Sequence, residues 1–301
     1  MIHFESTPLL DPLKIALQAP CVEPELYWLG QAGFIFRSPG LTWAVDPYLS
    51  NRLAEKYRNH EFSHERMMPA PVSVAELPEL DFVFCTHHHG DHLDGPTLEW
   101  VAANRPRTRF IVPAGIAAEV CRLALPPERI VWAEADRRIT LAVDFEVTPV
   151  PAAHEEFSCD AAGRHRFLGY IFRCGTLKLY HSGDTVPYDG LTGRLAALGP
   201  ELALLPVNGR RRELGERNIA GNFSLTEAIE VCRCARVPLM IAHHFGMFAF
   251  NTIDPALIAE AARAAAPAVK VLGAERCARY RLRACLTQKE YLLPAAELGR
   301  R

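Results

Sequence analysis

The segment Phe82-Val-Phe-Cys-Thr-His87-His88-His89-Gly90-Asp91-His92-Leu-Asp94-Gly95 constrains this chain more than any other. An apolar stretch of strand length runs directly into five imidazole or carboxylate side chains within six residues. A strand end followed by a tight turn at Gly90 can converge such groups on one point. Neutral imidazole and carboxylate are good ligands for zinc and related divalent ions, and His87 and His89, at i and i+2, project to the same side of an extended chain. Beyond the turn, Asp91 and His92 can face a second ion beside the first. The plain alternative is a histidine-rich surface loop or a tag, but a tag is terminal and does not follow a strand that reads as buried.

Strand-like runs rich in β-branched and aromatic residues recur at Tyr27–Phe36, Thr42–Asp46, Phe82–Thr86, Arg109–Val112, Phe145–Val150, Gly169–Cys174, Leu177–His181, Leu202–Pro206 and Leu239–Ala242. Helical signals lie between them. Ser224-Leu-Thr-Glu227 fits a capping box ahead of Leu225–Arg236, and Asp254-Pro255 sets an N-cap and an N1 proline before Ala256–Ala266. Shorter candidates are Thr97–Asn104, Ile116–Leu123 and Leu191–Leu198. The alternation predicts sheets covered by helices, with a hairpin meander among the early strands. Residues 52–78, with Pro69, Pro71 and Pro78, read as a long loop or lid. Nothing reads as a linker or repeat, so the whole span 1–301 is expected to be a single domain.

A net charge of −2, from 33 basic and 35 acidic residues, carries no signature of a nucleic-acid partner. The N-terminus lacks the apolar run of a signal peptide, and no stretch approaches a membrane span, so a cytoplasmic protein without a membrane partner is expected. Nine cysteines, none spaced as CxxC, predict reduced and mostly buried thiols rather than a disulfide framework.

The HxHxDH pattern of His87, His89, Asp91 and His92 is the signature of the metallo-β-lactamase superfamily, which this chain resembles. Three later segments match the resemblance: Val147-Thr-Pro-Val-Pro-Ala-Ala-His154, Leu179-Tyr-His-Ser-Gly183-Asp184-Thr185, and Pro238-Leu-Met-Ile-Ala-His243-His244-Phe-Gly-Met-Phe. Taken alone, His154 would be an ordinary loop histidine and Gly183-Asp184 a plain turn; their order and spacing together carry the match. Adjacent strand residues point to opposite faces, so one histidine of the tandem ligates, and the resemblance to the His-aromatic-Gly-x-Phe phrase of related hydrolases implies that it is His244, leaving His243 to the core or behind the ligands.

The resemblance implies an α/β fold, a four-layer αβ/βα sandwich of two mixed β-sheets with its core at about residues 25–275. It implies one metal on His87, His89 and His154, and a second on Asp91, His92 and His244. Asp184, with a water or hydroxide, would span both. The expected cofactors are two divalent ions, zinc or manganese, with iron an alternative. Redox-active diiron members carry glutamate at the position of His89, which favours a hydrolase. Two ions ~3.5–4 Å apart lower the pKa of a bridging water and polarise the bond under attack. Catalytic roles would fall to Asp184 and to Asp91, which would orient the nucleophile or carry a proton.

Shared phrases at Tyr27-Trp28-Leu29-Gly30-Gln-Ala-Gly33, Ala44-Val-Asp46-Pro47-Tyr48, Gly169-Tyr-Ile-Phe and Tyr180-His-Ser-Gly-Asp resemble the L-ascorbate-6-phosphate lactonase-like subgroup. His154 departs from it, standing where that subgroup has an acidic residue. The expected activity is therefore hydrolysis of a small cytosolic ester or lactone, with a phosphorylated sugar lactone as one form. A phosphodiesterase of the same fold is the alternative, and a non-catalytic binding protein the third. The substrate is expected to be small and anionic, contacted by Arg210, Arg211, Tyr188, His64 and Asp46, with Tyr48 a further candidate. A homo-oligomer is the expected assembly. Trp28 and Phe36 are expected in the core.

Overall fold

The computed structural model describes residues 2–284. One mixed sheet contains β1 (Ile2–Pro8), β2 (Glu25–Gly30), β3 (Gly33–Ser38), β4 (Leu41–Val45), β5 (Phe82–Phe84), β6 (Arg109–Pro113) and β7 (Ile130–Ala133). The other contains β8 (Ile139–Ala142), β9 (Phe145–Pro151), β10 (Leu168–Cys174), β11 (Leu177–His181), β12 (Leu202–Pro206), β13 (Leu239–His243) and β14 (Lys270–Gly273). The chain then returns to the first sheet through β15 (Ala278–Ala284), which inserts between β1 and β2. This carries the first sheet past residues 25 and 275 at both ends.

Side-chain alternation sets the layers. In β2, Leu26 and Trp28 enter one hydrophobic cluster while Tyr27 and Leu29 enter another; β3 splits Phe34 and Phe36 from Ile35, and β5 splits Phe82 and Phe84 from Val83 in the same way. The first set meets Phe145, Tyr170 and Phe172 of the opposite sheet, where Phe36 stacks on Trp43 at 5.1 Å and Phe84 meets Phe172 edge-on at 4.9 Å. The second set packs under helices α1 (Leu13–Gln18), α3 (Gly95–Asn104) and α4 (Ala117–Val120), with the short α2 (Arg52–Lys56) lying in the loop before β5. Helices α5 (Leu191–Leu198), α7 (Leu225–Ala235) and α8 (Pro255–Ala265) cover the outer side of the other sheet, and α6 (Arg212–Gly215) is a single turn. The result is the four-layer sandwich of two mixed sheets. Trp28 and Phe36 lie in its core.

Strand direction decides where the chemistry collects. Strands β4 to β7 are mutually parallel, and two antiparallel steps through β3 give β2 the same direction. Strands β11 to β14 are likewise parallel, and two antiparallel steps through β10 align β9 with them. The C-terminal ends of β2, β4 and β5 thus share one edge, and those of β9, β11 and β13 share another. The sheets are tied where β5 ends: Leu168 N donates to Thr86 O at 2.9 Å and the Tyr170 hydroxyl to Cys85 O at 2.8 Å.

Three local expectations change. Tyr27–Phe36 is a hairpin rather than one strand, because Gly30 and Gln31 take positive φ of 98° and 51° and reverse the chain. The candidate helix at 116–123 shortens to a 3-10 turn followed by α4. Among the described cysteines only Cys85 and Cys232 are buried, whereas Cys121, Cys159, Cys234 and Cys277 are exposed. All of the described cysteines are free thiols. Cys285 lies outside the described residues.

Candidate metal centre

Each segment that the sequence singles out follows the C-terminal end of a strand. After β5, Thr86 Oγ1 and N both donate to the buried carboxylate of Asp46, and the chain turns so that His92 N and Leu93 N donate to His89 O. Asp94 then anchors the exit: its carboxylate accepts from Ser50 Oγ, Thr97 Oγ1 and the Leu49 and Ser50 amides, which fixes the start of α3.

The turn after β11 needs a glycine. Gly183 has φ +61°, and a Cβ there would stand 2.8 Å from both Leu168 O and Thr86 Cβ. Its amide donates to His181 Nδ1, whose ring donates from Nε2 to Ala32 O at 2.8 Å. That clamp presents Asp184. After β13, His244 adopts φ +63° while its amide donates to Gln31 O. A left-handed backbone at a non-glycine residue costs on the order of 1 kcal/mol, and here it swings one imidazole out of the strand register. Its neighbour His243 stays in the core, stacked on His181 at 5.2 Å and edge-on to Phe34 at 5.5 Å.

Two compact groups form among the described residues. His87, His92 and Asp184 offer donor atoms within 4.8 Å of one another, and so do Asp91, His92 and His244. Asp184 Oδ2 lies 3.3 Å from Nε2 of both His92 and His244 and 4.0 Å from His87 Nε2. His92 Nε2 is 3.7 Å from Asp91 Oδ2. His89 and His154 stand beside this pair of groups, with ring centroids 4.6 and 5.7 Å from that of His87 and 5.1 Å from each other. All seven side chains expected at a metal pair therefore come together, His89 and His154 more loosely than the rest.

Burial and mutual charge dominate the electrostatics. Burial, followed by the neighbouring His92 and His89, holds His87 well below the ordinary imidazole range. Burial likewise lowers His154 to about 4. Burial opposes the charged form of His92 too, but Asp184, Asp91 and Asp46 outweigh it and raise that imidazole. For Asp184, burial is overridden by His244 and His92, which keep its carboxyl well below the usual range.

The donor set fits a divalent cation. His87 Nε2, His92 Nε2 and Asp184 Oδ1 are buried without a hydrogen-bond partner. Orphaned buried polar atoms are costly, and three converging in one place suit a bound ion with mixed nitrogen and oxygen ligands. Behind them, His92 Nδ1 contacts Asp46 Oδ2 at 2.7 Å, and Gln31 Nε2 donates to Asp91 Oδ2 at 2.8 Å.

The groups open into a cavity of about 670 Å³ whose lining includes His88, His89, Asp91, His154, Asp184 and His244. Lys56, Tyr57, His60, Glu61, Phe62 and His64 from the segment before β5, together with Arg217, Asn218, Phe248 and Phe250, complete much of the lining. Of the expected substrate contacts, only His64 lines it. Asp46 is fully buried behind His92. Tyr48 is buried with Phe248 and Arg66. Tyr188 donates its hydroxyl to Pro151 O, away from the cavity. Backbone pairing of Gly209 with Asn222 and Phe223 draws Arg210 toward α7, where it meets Asn222 O and Glu227, the carboxylate of the capping box. Arg211 donates to Phe250 O from outside. The basic side chains that do reach the cavity are Lys56 and Arg217, the latter paired with Glu61. Neither belongs to a conspicuous motif. Gln31 is a further functional residue that the sequence marks only as part of the phrase Tyr27-Trp28-Leu29-Gly30-Gln-Ala-Gly33, in the turn of the hairpin.

A family model described as the Beta-lactamase superfamily domain matches residues 44–245, a span that holds every member of both groups. The chain belongs to the metallo-β-lactamase superfamily. Within this superfamily it is 27% identical over 235 residues to a UPF0173 metal-dependent hydrolase of Hyperthermus butylicus, covering 76% of this chain and 86% of that protein. It is 31% identical over 206 residues to an uncharacterised Mycobacterium tuberculosis protein, covering 64% of this chain but only 53% of the longer relative. An N-acyl-phosphatidylethanolamine-hydrolyzing phospholipase D of Caenorhabditis elegans is 23% identical over 236 residues, covering 75% of this chain and 65% of that one. Among solved structures, a metallo hydrolase from Ignicoccus hospitalis superposes with a TM-score of 0.63 at 19% identity, covering 88% of this chain and 100% of the other. Several of the relatives it resembles are described as metal-dependent hydrolases. No helix among its described residues is long and apolar enough to cross a membrane.

Proposed function

We propose that the protein is a binuclear metal-dependent hydrolase of a carboxylic ester or lactone. The observation that carries this reading is the position of Asp184, whose Oδ2 faces His87 and His92 of its own group and His244 of the other. His87, His89 and His154 would hold one ion, Asp91, His92 and His244 the other, and Asp184 both. Such a pair of ions, zinc or manganese, supplies Lewis-acid polarisation and water of lowered pKa at neutral pH.

The chain's own groups do the positioning. Asp46 fixes the ring of His92, and Gln31 holds one oxygen of Asp91 while that side chain faces the cavity. Asp91 is thereby placed to orient the attacking water or to pass its proton to the leaving oxygen. Arg210 and Arg211 lie outside the cavity and Arg217 is paired with Glu61, which supports a weakly charged substrate over a phosphorylated one.

A phosphodiesterase is the second reading, favoured by the similarity to the phospholipase D relative. Elemental analysis of the purified protein, with hydrolysis of a lactone panel and bis(p-nitrophenyl) phosphate before and after chelation, tests both. Two metals per chain and chelation-sensitive lactone turnover support the proposal. Activity that survives exhaustive chelation overturns it, and turnover of the phosphodiester alone selects the second reading.

A further inference from the structure

We propose that the cavity carries, beside the metal centre, a subsite for an aromatic group of the substrate, formed by Tyr57, Phe62 and Phe250 and braced by His64 and Phe248. It deepens the hydrolase reading above, which supplies the reacting end of that substrate, and it assigns the non-reacting end to an aryl or arylalkyl group.

The rings come from two segments far apart in sequence. His64 stacks on Tyr57 at 4.3 Å and meets Phe248 and Phe250 edge-on, each at 4.9 Å. Phe62 lies 5.3 Å from Phe250, and Phe250 is parallel to Phe248 at 5.9 Å. These spacings are those of favourable aromatic pairs, so the wall is packed before any ligand arrives. Phe248 is only 2% exposed and belongs to a small apolar cluster with Tyr48, Leu53 and Met247. Tyr57, Phe62, His64 and Phe250 are half-buried and border the same cavity as Asp91, Asp184 and His244. Core packing accounts for Phe248 but not for four further half-buried rings that border a cavity.

Size and polarity point the same way. A bare lactone ring fills only a small part of a cavity of about 670 Å³. Polar groups, His60, Asn218 and Asn251 among them, line other parts of the cavity, but beside the ring cluster Arg217 is occupied by Glu61 and Lys56 Nζ sits over the Tyr57 ring at 4.8 Å, so a flat apolar group is the complement of that part of the wall.

The test is calorimetric binding of 4-phenylbutyrate and of butyrate to the metal-replete protein, alongside gluconate 6-phosphate. Phenylbutyrate is expected to bind at least about tenfold more tightly than butyrate, the scale of burying one phenyl ring. That advantage should fall to about twofold or less in Phe62→Ala and in the more conservative Phe250→Leu, with metal content and circular dichroism unchanged. Equal affinity for the two acids in the wild-type protein overturns the inference, as does tighter binding of the sugar phosphate. An advantage that persists in both variants does so too. The outcome is separable from the hydrolase reading: ring-dependent binding without any ester turnover leaves the subsite standing and removes the activity, whereas turnover of small esters without ring-dependent binding does the reverse.

Discussion

Asp46 Oδ2 stands 2.7 Å from His92 Nδ1, and the same carboxylate accepts from Thr86 N and Oγ1 at 2.8 and 2.7 Å. A carboxylate so placed keeps a proton on Nδ1 and turns Nε2 toward Asp184 and Asp91, where it would offer its lone pair to a bound ion. Asp46 is therefore a positioning residue rather than a substrate contact.

Replacing it tests that role. Asp46→Asn keeps the shape but removes the charge, and its amide can donate to Nδ1, which would place the proton on Nε2 instead. Metal affinity, measured by competition with a chromogenic chelator, should fall by about 10- to 100-fold. The KM for any substrate, determined at saturating metal, should change far less. Unaltered metal affinity would show that His92 is oriented by other means.

Much of the centre was legible in the chain. The run His87-His88-His89-Gly90-Asp91-His92 behind an apolar strand announces a sheet edge and its donors; β9, β11 and β13 share one direction in their sheet, and the end of β5 is tied to that sheet through Thr86 and Cys85, which is why four distant segments meet there. Strands β1, β7, β8, β14 and β15 were not read, although Ala278, Tyr280 and Leu282 alternate with arginines in the way a half-buried strand should. Arg210 was misplaced because composition marks a basic cluster but not which acid claims it; the capping carboxylate Glu227 does so here. Gln31, Arg217 and the ring wall depend on chain reversals and loop packing that periodicity does not encode.

Gly183 carries a second prediction. Gly183→Ala must place a methyl group 2.8 Å from Leu168 O in a left-handed conformation. The combination should destabilise the protein by on the order of 3 kcal/mol and displace Asp184. Urea unfolding and metal content are the measurements, and a variant of wild-type stability with a full metal complement would show that the turn relaxes freely.

The tandem histidines should separate cleanly. His244→Ala removes a donor next to Asp184 and should lose bound metal with little loss of intrinsic stability. His243→Ala opens a hole beneath His181 and Phe34 and should lower stability by about 2–3 kcal/mol, as truncation of a buried ring does, while metal content is retained. Loss of metal from the His243 variant at a temperature where it remains folded would reverse the assignment.

Acid sensitivity of the chelated protein is the last prediction, and its sign follows from burial. In the folded chain His87, His89 and His154 are held below the ordinary imidazole range, chiefly by burial, and His154 falls to about 4. In the unfolded chain each titrates near ~6.5. Below that value the unfolded state binds more protons than the folded state, so stability falls as pH drops from ~6.5 toward the folded values and is fully present above it. His92 acts in the opposite sense, because its acidic neighbours raise it; its contribution is present below ~6.5 and is lost as pH rises through the folded value. Asp184 leaves this window untouched: its depressed carboxyl stabilises the fold above the ordinary carboxylate range and loses that effect only below it. The lowered histidines outnumber the raised one, so the urea midpoint of metal-free protein should decrease steadily from pH 7 to pH 5. Added zinc should raise the midpoint at pH 7 far more than at pH 5, because protons compete with the ion for the same nitrogens. A midpoint that is flat, or that rises toward pH 5, would mean that these imidazoles are not held neutral in the fold.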